Sequence, residues 1–150
     1  MDREINAAFR QFLRGVKCLP NLPLWANTAQ CNAFKSKMRN GDDCGPEIIW
    51  VIDYLGASRV SSACKSTQAL GSFQISLFAP SGCGTETLYE AADCLICAIE
   101  DASSIFSDGL QLSLTGTGNT LPTTAPLITG DPSGRVLLPI TVPFRAFYCC

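Results

Sequence analysis

Ser72-Phe73-Gln74-Ile75-Ser76-Leu77-Phe78-Ala79 alternates without a break, with Phe73, Ile75, Leu77 and Ala79 on one face and Ser72, Gln74, Ser76 and Phe78 on the other. Side chains alternate sides along an extended chain, so this period of two predicts a strand with one buried face. Pro80, Ser81, Gly82, Cys83 and Gly84 stop it, and Thr87 with Glu90 three residues on supplies a capping box for a helix. Along that helix Leu88, Ala91, Ala92, Leu95, Ile99, Ala102 and Phe106 recur at helical spacing, while Glu86, Glu90, Asp93, Glu100 and Asp101 lie elsewhere on the circumference. One side of the helix packs on a sheet; the other is acidic.

Working outward, the run from Glu47 to Gly56 is β-branched and aromatic on both faces, which predicts a central strand covered on both sides. A polar, small-residue segment, Ala57 to Leu70, separates it from the alternating strand. Further upstream, Ile5, Phe9, Phe12, Leu13 and Val16 form one face of an amphipathic helix over Asp2 to Val16, with Asp2 as its N-cap. Pro20 and Pro23 end it, Leu22 to Ala26 holds a short extended piece, and Asn27 to Pro46 reads as loop, with a turn at Asn40 to Asp43. Downstream, Leu110, Leu112 and Leu114 alternate in another strand. The Gly/Thr/Pro segment from Thr115 to Gly134 has no hydrophobic period and reads as a loop or mobile arm able to order against a neighbouring subunit. In the last strand, Arg135 to Tyr148, Val136, Leu138, Ile140, Val142, Phe144, Ala146 and Tyr148 share one face, and Pro139 and Pro143 share the other. Proline donates nothing to a ladder, so this strand is expected at an edge or broken by a bulge. The resulting class is α+β: a single domain over residues 1–150, a mixed sheet packed with two main helices, and a long loop or arm before the C-terminal strand.

Hydrophobic residues make up 47% and charged residues 16% of the 150, enough for a real core and too apolar for a disordered chain. There is no histidine. That excludes Ser-His-Asp and Cys-His triads, imidazole acid–base chemistry and histidine metal sites. Residues 1–65 hold nine Lys/Arg against six Asp/Glu, and residues 66–150 hold two against seven. The basic residues Arg10, Arg14 and Lys17 lie along the first helix and Lys35, Lys37 and Arg39 in a loop, giving no phosphate-tracking groove. Sequence-specific nucleic-acid recognition is therefore not expected.

No apolar run reaches the length of a membrane-spanning helix, and Met1-Asp2-Arg3-Glu4 lacks the order of a signal peptide, so the chain is expected to be soluble and not exported. On that footing the nine cysteines (Cys18, Cys31, Cys44, Cys64, Cys83, Cys94, Cys97, Cys149 and Cys150) are expected to be mostly reduced thiols packed as small hydrophobes. Cys94 and Cys97 form a C-x-x-C pair, but in the middle of a helix, where no dipole stabilises a thiolate, and without a second pair to complete a zinc site. A helix-packing role is expected for them. Ser81-Gly82-Cys83-Gly84 lies where a phosphate loop would, yet lacks the following Lys and the third glycine, and Glu86 and Glu90 would oppose a phosphate. No catalytic residue, metal or cofactor is expected.

Two segments are distinctive. The first is Gly71-Ser72-Phe73-Gln74-Ile75-Ser76-Leu77-Phe78-Ala79-Pro80-Ser81-Gly82, leading into a helix that contains Ala91-Ala92-Asp93. The second is Leu138-Pro139-Ile140-Thr141-Val142-Pro143-Phe144-Arg145-Ala146-Phe147. Together they resemble the tail-terminator proteins of long-tailed bacteriophages, the group of minor tail protein U-like and related tail-completion families. The abundant cysteines and the Asn27 to Pro46 loop depart from the family pattern. The resemblance implies a structural virion protein of the tail or neck, assembled in the host cytoplasm as a hexameric ring. Such a ring caps the last ring of tail-tube protein, stops its polymerisation and meets the head-side connector or neck protein, while DNA passes through the lumen without sequence-specific binding. It involves no membrane. On this reading the candidate subunit or tube contacts are Phe144, Arg145 and Phe147 with the arm from Thr115 to Gly134, and then Arg59 and Arg135; core packing is the competing role for Phe144. The rivals are another head–tail joining or tube-like ring protein, a cytosolic thiol enzyme using Cys94 or Cys97, and a secreted disulfide-rich binding module.

Overall fold

The computed structural model describes residues 2–19, 22–25, 48–63, 66–80, 85–107, 109–114, 121–129 and 135–149. In chain order the elements are α1 (Asp2–Arg14), β1 (Leu24–Trp25), β2 (Ile49–Ala63), β3 (Ser66–Pro80), α2 (Glu86–Ala102), β4 (Ser104–Ser107), β5 (Leu110–Ser113), β6 (Thr123–Thr124) and β7 (Arg135–Cys149). The strands make one sheet in the order β1-β2-β3-β7-β5-β4, with β6 also on β7. It is mixed, because β1 runs parallel to β2 while the other pairs are antiparallel. With the two helices this is a single α+β domain.

The alternating run of β3 sets the register. Phe73, Ile75 and Leu77 stand beside Tyr54, Ile52 and Trp50 of β2 and beside Val142, Ile140 and Leu138 of β7. These rows make one apolar face, on which α1 lays Ile5, Phe9 and Leu13 and α2 lays Leu88, Leu95 and Ile99, all 0% exposed. Phe73 is the hub: its ring stacks on Phe9 at 3.9 Å between centroids and meets Phe144 at 5.1 Å and Tyr54 at 5.2 Å.

β7 is not at an edge; it lies between β3 and β5. Its prolines are tolerated because of which way their nitrogens point. The Pro139 carbonyl accepts from the Ala125 N–H at 3.0 Å, so the nitrogen of Pro139, and of Pro143 four residues on, faces away from β3. On that side β5 pairs only with residues 145–148 and β6 only with residues 140–141, so the ladder to β3 loses nothing. The same half-open flank explains the described part of the expected arm. Ile128 and Leu137 exchange two backbone hydrogen bonds, at 2.8 and 3.0 Å, so this segment orders against its own subunit.

Several other expectations are corrected. The segment from Ala57 to Leu70 continues β2 and β3 as a long hairpin, paired from Ala57↔Gly71 to Ala63↔Ser66. β2 has β1 beside it only at Val51 and Ile52, so it is next to an edge rather than central. A register shift after Tyr54 places Gly56, at φ 97°, in a bulge. Gly71 packs against that bulge, where a Cβ would strike the Gly56 carbonyl and the Phe144 ring. Thr85, not Thr87, precedes the first turn of α2, and no side chain caps it. The helix ends at Ala102, so Phe106 belongs to β4. Ser107 pairs with Leu110 across Asp108-Gly109, with Gly109 at φ 80°, the hairpin chemistry that a glycine permits. The Asn27 to Pro46 loop and the Ser81 to Gly84 turn lie outside the described residues.

Cys18 and Cys94 form a disulfide, with Cα atoms 5.8 Å apart. This overturns the expectation of reduced, buried thiols at these two positions. Cys94 sits off the buried stripe of α2, where it can meet Cys18 just beyond α1; Cys97 is a free, exposed thiol. Cys18 is half-buried against the core, whereas Cys94 and Cys97 lie outside it.

Candidate interaction surface

The pairing of β3, β7, β5 and β4 fixes where the sequence-derived candidates lie. Gln68, Phe147, Gln111 and Phe106 form one cross-strand row. Paired residues point to the same side, and this row faces away from the helices, because Ala69, Ala146 and Leu112 next to it point into the core. Phe147 is 39% exposed and Phe106 is 73% exposed. With one strand between them, the two rings project about 10 Å apart from the outer face. Arg145, half-buried, stands in the next outward row between Leu70 and Ser113. Phe147 and Arg145 thus share a surface.

Phe144 does not join it. The residue is 2% exposed, with its ring against Phe73 and Tyr54, so packing is its role. Arg59 is exposed on the β2–β3 hairpin opposite Ala69, one strand beyond β3 and on the opposite side of the sheet from Arg145. Arg135 begins β7 opposite Pro80, at the far end of that strand from Phe147, and its side chain lies outside the description. The structure therefore brings together Arg145 and Phe147, adds Phe106, and separates Arg59 and Arg135 from them. The signal for Phe106 was the Asp108-Gly109 pair after Ser103-Ser104, which marks a hairpin rather than one more helical turn.

One polar contact ties the helical layer to β2. The Tyr54 hydroxyl donates to the Asp2 carboxylate at 2.5 Å, so Asp2 serves as a partner for the sheet rather than as the expected N-cap. Burial, and then this hydrogen bond to a carboxylate, push the Tyr54 hydroxyl well above its ordinary value of 10.0. The folded state therefore holds the proton more tightly than the unfolded chain, a contribution complete below pH 10 and lost as pH rises beyond it. Wild-type unfolding free energy is expected to fall above pH 10 more steeply than that of Tyr54→Phe, as read by urea titrations between pH 8 and about 11. Parallel curves would contradict this account.

Among the described residues no group of three or more Cys, Asp or Glu side chains could hold a metal ion. No described helix is long and apolar enough to cross a membrane. What the outer face offers is contact chemistry: two exposed aromatic rings flanked by glutamines and an arginine.

No family model matches the chain, and no curated protein does. A solved structure is similar over 97% of this chain and 95% of its own, with a TM-score of 0.63 at 20% identity. That likeness shows the fold.

Proposed function

We propose that the chain is a ring-forming structural subunit of a long-tailed bacteriophage that caps the tail tube, ends its polymerisation and joins it to the head-side connector. The observation that carries this reading is the partnership of the two segments that resemble tail terminators. They are neighbours at the centre of the sheet, paired in register from Gly71↔Phe144 to Leu77↔Leu138. The resemblance is thus concentrated in one structural unit, whose β7 strand carries Arg145 and Phe147 on its outward side. Exposed aromatic side chains beside an arginine have the composition of contact sites between proteins. In the proposed assembly this outer face is the surface that meets the tube, and the DNA path needs no base-reading groove.

The thiol-enzyme alternative loses its first candidate, because Cys94 is bonded to Cys18. The capping reading is tested by adding the protein to polymerising tail-tube protein of the same virus and counting capped ends by electron microscopy. Wild type is expected to cap the tubes and shorten them. Phe147→Asp combined with Phe106→Asp is expected to lose capping by at least about 100-fold in required concentration, the scale of removing hot-spot aromatics. Unaltered capping by the double variant would remove this face from the proposal, and tubes unaffected by wild type would overturn the function itself.

A further inference from the structure

Both helices lay their apolar stripes on the same side of the sheet, so their opposite sides look away from the subunit. On α1, Arg3, Ala7, Arg10 and Arg14 follow at steps of four, three and four, which keeps them on one outward line. On α2, Glu86, Glu90, Asp93, Cys97 and Glu100 do the same, and all five are exposed. One stripe is cationic and the other anionic. The cationic one borders a concavity lined by Arg3, Asn6, Ala7, Arg10, Gln11 and Arg14. Within it Arg10, its guanidinium 4.6 Å above the Trp25 ring, keeps a buried Nε without a hydrogen-bond partner, as does the Asn6 Oδ1. Like charges gathered on one exposed line repel one another, so a partner carrying the opposite charge lowers the energy of this surface.

We infer that the partner is a second copy of this chain, with the α1 arginine stripe of one subunit lying antiparallel on the α2 carboxylate stripe of the next. The spacing favours that direction. At about 1.5 Å per residue, Arg3, Arg10 and Arg14 stand at roughly 0, 10.5 and 16.5 Å along α1, and Glu100, Asp93 and Glu90 at roughly 0, 10.5 and 15 Å along α2 read backwards. Three arginines thus meet three carboxylates in register, and the small Ala7 falls opposite Cys97. The parallel arrangement matches only Arg3 with Glu86 and Arg10 with Asp93, and leaves Arg14 against Cys97. This inference rests on the ring reading for its symmetry: each subunit gives α1 to one neighbour and α2 to the other, a head-to-tail contact that closes into a ring.

The test uses two charge-reversed proteins, Arg3→Glu/Arg14→Glu and Glu90→Arg/Glu100→Arg, with native mass measured by light scattering. Their side chains are exposed, so both are expected to keep the wild-type circular dichroism and unfolding midpoint. Each alone is expected to lose assembly, while an equimolar mixture restores the wild-type mass, because one protein then carries two anionic stripes and the other two cationic ones. Variants that assemble like wild type would overturn the helix contact and leave the ring standing. A two-chain wild-type mass that each variant abolishes would keep the helix contact and overturn the ring. A wild type that stays monomeric at every concentration, both alone and with tail-tube protein of the same virus, would overturn both.

Discussion

Phe73→Ala is expected to lower the unfolding free energy by about 3–5 kcal/mol, the range for deleting a fully buried aromatic ring. Phe73 is 0% exposed and joins both layers, touching Phe9 of α1, Tyr54 of β2 and Phe144 of β7. Alanine would leave a cavity bounded by three rings from three different elements, which cannot all collapse into it. Since domains of this size are stable by only about 5–15 kcal/mol, the variant should lose at least about a fifth of that margin. Urea unfolding measures it, with Phe147→Ala as the comparison. Phe147 has the same strand parity as the other outward residues and is 39% exposed, so its loss should cost less than about 1 kcal/mol. Equal losses in the two variants would contradict the assignment of the two faces.

Cys94→Ser is expected to cost on the order of 4 kcal/mol under oxidising conditions, from the loop entropy that a cross-link spanning 76 residues removes from the unfolded chain. The bond joins the segment after α1 to the middle of α2, the two elements that cover the core face. Reductant should bring wild type down to the level of the variant and leave the variant unchanged. Cys97→Ser should be neutral, because its thiol is free and exposed. A Cys94→Ser protein as stable as oxidised wild type would show that the bridge does not constrain the chain in solution.

The parts of this fold that rest on periodicity were legible in the sequence. Alternation at Phe73, Ile75 and Leu77, the stripe Leu88 to Ile99, and the amphipathic start from Ile5 to Leu13 all encode a face to be buried, and a face is what period reveals. Positions set by pairing were not. Nothing local to Pro139 and Pro143 says that their nitrogens look toward a flank with short partners, so proline alone suggested an edge for a strand that lies inside the sheet. Ser58, Arg59 and Ser61 have no strand pattern of their own, and their conformation follows from the hairpin and from β7 beyond it. The outward face of β7 was legible from parity, which placed Arg145 and Phe147 together, whereas Phe106 was hidden because its spacing also fits a helix. The Cys18–Cys94 bond escaped for a related reason: 76 residues separate the two, and only the packing of both helices on one side of the sheet brings them near.

The subunit is proposed to close into a ring. The most direct measurement is the native mass of the wild-type protein by light scattering over a range of concentrations, with and without tail-tube protein of the same virus. A species near six times 16.1 kDa is expected, alone or seated on the tube. A 16.1 kDa monomer that neither assembles nor binds the tube at any concentration would contradict it.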